Sequence, residues 1–121
     1  MKALFFISIL ANLLIEAGAG ISLLAGDQGI SSGVRPDYGP WSIHYGFAAI
    51  AVASVSIWLW LYRFNIVVMG VLLGFLATFN TLLFLSVLLA GGASVAMAFH
   101  GFMAIACSAL YLRKTGLTWS R

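Results

Sequence analysis

Four long apolar runs constrain this 121-residue chain more than any other feature. They cover residues 3–25, 41–62, 66–90 and 93–112. A helix that crosses the hydrocarbon core of a bilayer needs about 20 apolar residues. Lipid offers no partner to a free N–H or C=O, so a run of this length must satisfy its backbone internally, as an α-helix. The chain is 63% hydrophobic and 7% charged, whereas a soluble domain carries about 25% charged residues. These features predict an all-α integral membrane four-helix bundle, one transmembrane domain over residues 1–121, with the lipid bilayer as its first partner.

The breaks between the runs are short. Residues 26–40 form the one sizeable loop, rich in Gly and Ser, with Pro36 and Pro40 bracketing Asp37-Tyr38-Gly39. Arg63-Phe64-Asn65 and Gly91-Gly92 are tight turns. Trp41 at one end of the second run, and Trp60 with Tyr62 at the other, suit the two aromatic belts of a membrane protein.

Charge sets the expected orientation. Lys2, Arg63, Arg113, Lys114 and Arg121 fall on one side of a four-span topology, and Arg35 alone falls on the other, beside Asp27 and Asp37. The positive-inside rule puts both termini and the Arg63 turn in the cytoplasm and makes 26–40 external. A bacterial inner membrane is the expected location. The basic residues are scattered and form no cluster that would track a phosphate backbone, so nucleic acid is not an expected partner. Lys2, the apolar stretch after it and Ala17-Gly18-Ala19 imitate a signal peptide. Glu16 interrupts the would-be cleavage region and Ile21-Ser22-Leu23-Leu24 carries the run past it, so a retained first helix is expected.

The two halves of the chain resemble each other. Leu23-Leu24-Ala25-Gly26 closes the first run and Leu88-Leu89-Ala90-Gly91 the third. Gly46-Phe47-Ala48-Ala49-Ile50-Ala51 in the second run pairs with Gly101-Phe102-Met103-Ala104-Ile105-Ala106 in the fourth, each preceded by a histidine, His44 or His100. The expected architecture is two tandem hairpins related by an axis along the membrane normal.

Glu16 lies deep in the first run. A carboxylate at such depth costs about 2.5–3.5 kcal/mol on insertion scales, so something must hold it, neutralise it or use it. Positions three or four apart share a helix face. Ser8, Asn12, Glu16, Ala19/Gly20 and Leu23 make one stripe, and Ser42, Gly46, Ala49, Ala53 and Ser56 make another. The third run carries Gly70, Gly74, Ala77/Thr78 and Thr81, in which Gly70-x-x-x-Gly74 allows close helix approach. The fourth aligns Ala93, Ala96/Met97, His100, Ala104 and Cys107/Ser108. At about 1.5 Å per residue, Glu16, Asn80 and His100 fall in one layer, roughly 12–15 Å from the non-cytoplasmic surface. They are expected to form a buried polar cluster, with Asn12 one turn deeper and Thr81 as auxiliary donors. Two readings stay open: a hydrogen-bond network that registers the helices, or a site for a quinone, a lipid or another apolar small molecule, with proton transfer.

Other chemistries find less support. His44 sits near the expected surface, about 8 Å shallower than His100 and about 100° away in helical phase, which leaves b-type haem between them as a lesser alternative. Glu16 and His100 offer two metal ligands and that layer has no third strong one, so no metal site is expected. Cys107, the single cysteine, reads as a small buried apolar residue. Neither a Gly-x-Ser-x-Gly elbow nor a phosphate-cradling glycine loop is present, and no catalytic residue stands out.

Glu16-Ala17-Gly18-Ala19-Gly20, the histidine-led Gly-Phe segments and the four-span layout resemble the DoxX-like group of small bacterial membrane proteins. That resemblance implies partnership in quinone-linked or redox membrane complexes and assigns no catalytic residue. The expected function is therefore a non-catalytic accessory or assembly subunit of a larger membrane complex, redox complexes included, or a self-associating bundle. The intramembrane pocket is the alternative.

Overall fold

The computed structural model describes residues 1–25, 40–91 and 94–117, except for the side chains of 40–42 and 94. It contains α1 (Lys2–Leu24), α2 (Pro40–Leu61), α3 (Ile66–Leu89) and α4 (Ser94–Leu112), followed by a short 3-10 turn at Lys114–Leu117. All four helices are long and apolar enough to cross a membrane, and no strand occurs among the described residues. The helix limits lie within a residue of the four apolar runs. The expected loop 26–40 is one residue too long, because Pro40 already belongs to α2; proline is favoured in a helix's first turn, where its missing N–H costs nothing. The remainder of that loop, residues 26–39, falls outside the described residues, as do Gly92 and Ala93.

Two turns are fixed by local chemistry. Asn65 caps α3: its side-chain oxygen accepts from the N–H groups of Val67 and Val68, both at 3.1 Å. Its own N–H donates to the Tyr62 carbonyl at 2.8 Å and closes the α2–α3 turn. The guanidinium of Arg63 folds back in that turn, with Nη1 donating to the Trp60 carbonyl at 2.6 Å and Cζ 3.9 Å from the centre of the Trp60 ring. At the far end of α3, Gly91 takes φ +63, the left-handed conformation that stops a helix and that glycine adopts without strain.

α1 packs chiefly against α2, and α3 against α4, with lighter contacts from α1 to α4 and from α2 to α3. Each packed pair runs antiparallel. The α1–α2 pair is closest at Gly20 and Gly46, where a Cβ built on Gly20 would lie 2.7 Å from the Gly46 carbonyl oxygen and 2.7 Å from Ile50 Cγ1. Toward the other end Phe6 meets the edge of Trp60, ring centres 5.0 Å apart.

The interior has two zones. Phe5, Leu59, Met69, Leu73, Leu110 and Leu117 make an apolar plug at the end where α1 begins and α4 stops. Ser8, Asn12, Glu16, Ser56, Asn80 and His100 are the buried polar residues among those described. Outward-facing leucines, isoleucines and phenylalanines cover the rest, from Leu14 and Val67 to Leu89 and Ile105.

The Gly70-x-x-x-Gly74 motif does not bring two backbones together. A Cβ on Gly70 would meet Lys114 Cδ at 3.0 Å, and one on Gly74 would meet the Tyr111 ring at 3.5 Å. Tyr111 of α4 and Lys114 of the turn after it reach toward the glycines with their side chains, so the backbones stay apart.

Candidate functional site

The expected polar stripe of α1 is buried along its length: Ser8, Asn12, Glu16, Gly20 and Leu23 all point inward. Their spacing of three and four residues keeps them on one face. On α2 the facing stripe Gly46, Ala49, Ala53 and Ser56 is buried as well. Asn12 joins the two helices. Its Nδ2 donates to the Val52 carbonyl at 3.1 Å and to Ser56 Oγ at 3.0 Å.

Asn80 and His100 make the matching link between α3 and α4. Asn80 Nδ2 donates to the Leu76 carbonyl of its own helix at 2.9 Å, which turns Oδ1 toward His100. His100 Nδ1 lies 2.9 Å from that oxygen. An amide oxygen only accepts, so the proton of this bond belongs to His100 Nδ1. Glu16 approaches the same nitrogen from α1, with Oε1 at 3.9 Å. That distance is too long for a hydrogen bond, so Glu16 faces His100 without bonding to it. Phe99 packs edge-on against the imidazole, ring centres 5.1 Å apart.

The structure thus brings Glu16, Asn80 and His100 into one cluster, with Asn12 one helical turn from Glu16. Thr81 does not join them. It is exposed, and its hydroxyl donates to the Ala77 carbonyl at 2.8 Å. Asn80 and Thr81 are neighbours about 100° apart around the helix, and the burial of one turns the other outward. His44 is exposed near the start of α2, whereas His100 is buried with Nδ1 engaged, so the two histidines do not line a common gap. Among the described residues no three of His, Cys, Asp and Glu are grouped to hold a metal ion. Cys107 is fully buried in the apolar core.

Ser56 is a site residue that sequence reasoning placed only on a packing stripe. Its signal was there: a serine four residues from the buried Val52, at the level where an antiparallel partner places Asn12. A second feature lies on the outer surface, where a groove of about 830 Å³ runs between α3 and α4, floored by Gly70, Gly74 and Ala77 and edged by Tyr111 and Lys114. The Lys114 ammonium sits 4.2 Å from the centre of the Tyr111 ring.

No family model, curated protein or solved structure matches this chain. Its function is therefore argued from its own residues.

Proposed function

We propose that this chain is a non-catalytic membrane-embedded subunit, working in the assembly of a larger membrane complex or as a homo-oligomer. The carrying observation is where its polar chemistry goes. Asn12 bonds to α2 and Asn80 to His100 across helices, so the interior polar groups register one helix against another. The resemblance to DoxX-like proteins supports a complex partner, with redox complexes as candidates. In this reading the chain is a tandem pair of hairpins with both termini cytoplasmic, in a bacterial inner membrane, as the repeat and the basic residues suggest. Native mass spectrometry of the protein released from its own membrane in mild detergent tests it. Species containing other polypeptides or several copies are expected; a lone monomer defeats the proposal.

One observation favours a second reading. Glu16 is 2% exposed and its Oε1 has no hydrogen-bond partner. A carboxylate oxygen held open beside His100 suits a site that takes a proton or the polar head of an apolar small molecule such as a quinone or lipid. In that case Glu16→Gln and His100→Ala each abolish retention of the small molecule on purification while the bundle still folds. Equal retention by both variants and the parent refutes it.

A further inference from the structure

Three buried side-chain atoms lack a hydrogen-bond partner among the described residues: Ser8 Oγ, Asn12 Oδ1 and Glu16 Oε1. All three lie on one line of α1. Their residues are 1%, 0% and 2% exposed. Buried polar atoms in native proteins are nearly always paired, with protein or with ordered water. Three scattered orphans would need three explanations; three in a file need one.

Their spacing identifies it. Residues four apart on a helix are separated by a rise of about 6 Å. Among the described residues no group of three His, Cys, Asp or Glu side chains offers a cation a site here. The interval does equal about two O–H···O bonds of about 2.8 Å laid end to end. One water fits between each neighbouring pair. On the facing stripe of α2, Ala49 and Ala53 are buried and carry side chains that end at Cβ. Asn12 also sets the polarity. With Nδ2 spent on Val52 and Ser56, only the acceptor Oδ1 faces the file. A molecule between Asn12 and Glu16 must therefore donate to the amide oxygen, and water does so while donating to or accepting from the Glu16 carboxyl.

We infer that α1 holds an internal file of two water molecules, one between Ser8 and Asn12 and one between Asn12 and Glu16. The inner water supplies the hydrogen bond to Glu16 that His100, at 3.9 Å, does not. The apolar plug around Phe5 closes the file at one end, and the Gly20–Gly46 contact closes it at the other. The file stands whether or not a further ligand reaches Glu16.

Glu16 is the sole glutamate of the chain, so glutamate labelled with 13C gives one carboxyl resonance. Solid-state NMR of the protein in lipid bilayers then reads water-to-carboxyl polarisation transfer at this site alone. Early transfer to the Glu16 carboxyl is expected, with a several-fold loss in Asn12→Leu. Ser8→Ala, which leaves the α1–α2 bonds of Asn12 in place, should keep the Glu16 signal and, in a second sample labelled in asparagine with Asn12 assigned by its loss in Asn12→Leu, reduce transfer to the Asn12 side-chain carbonyl. A Glu16 carboxyl without water transfer in the parent overturns the file, as does Ser8→Ala with unchanged transfer to Asn12. Neither result bears on small-molecule retention, which tests the second functional reading separately.

Discussion

Replacing Gly20 by alanine probes the tightest contact in the bundle. The added methyl would sit 2.7 Å from both the Gly46 carbonyl oxygen and Ile50 Cγ1, and 3.2 Å from the Ile50 nitrogen. That is about 0.8 Å inside the optimum of about 3.5 Å for such atoms. Two of the three obstacles are backbone, so no rotamer change relieves them and α2 must move away. A gap of about 0.5–1 Å forfeits a quarter to a half of each dispersion contact that faces it. Overpacking of this kind costs about 1–3 kcal/mol. Helix propensity returns little of it, because the helices of a membrane protein persist in its detergent-unfolded state. The net expectation is a loss of about 2 kcal/mol, in the middle of that overpacking range. Gly74→Ala is the control. Its methyl meets the Tyr111 ring at 3.5 and 3.7 Å, ordinary contact, so its stability should stay within about 0.5 kcal/mol of the parent. Both are measured by titrating dodecyl sulfate into mixed micelles and following tryptophan fluorescence, to which Trp60, packed on Phe6 across the same interface, contributes. If Gly20→Ala unfolds with Gly74→Ala rather than well before it, the backbone contact between α1 and α2 is refuted.

Other expectations follow from single contacts. Asn12→Leu removes two bonds between helices; such bonds contribute about 0.6 kcal/mol on average in membranes and up to about 1.7, so a loss of about 1–2 kcal/mol is expected in the same titration. A double-mutant cycle with Ser56→Ala should show coupling, and strict additivity would remove that bond from the account. Asn65→Ala strips the α3 cap from two N–H groups and should cost about 1 kcal/mol, visible as faster amide exchange at Val67 and Val68. Thr81→Val should leave stability within about 0.5 kcal/mol, since the hydroxyl is exposed and serves only its own helix; a larger loss would return Thr81 to the buried cluster.

Much of the architecture was legible because membrane helices announce themselves by length. Helix limits followed from where apolar residues stop, and Asn65 and Gly91 supply the local chemistry that stops them. The inward faces of α1 and α2 were also legible, because polar and small residues recur there every three or four positions. The common layer of Glu16, Asn80 and His100 followed from counting residues inward from one shared end of antiparallel helices. Thr81 was misplaced because face-sharing rules tolerate either neighbour of a helical pair, and only the packing against α4 decides for Asn80. The Gly70-x-x-x-Gly74 motif was misread for a related reason. A small-residue stripe states how close a neighbour can come, and the neighbour's own side chains, here Tyr111 and Lys114, decide whether it does.

The α2–α3 turn has a consequence for how the bundle sits in membranes of different thickness. Arg63 is folded onto Trp60 and Phe64, its Cζ 3.9 and 4.4 Å from their ring centres, and Asn65 ties both helix ends together. A cation and aromatic rings held at one level form an anchor at the lipid–water boundary. A helix pair clamped there cannot slide its two members independently when the bilayer thins or thickens. Each member carries its closely packed partner with it, α1 on α2 and α4 on α3, so the bundle answers hydrophobic mismatch by tilting about this fixed turn.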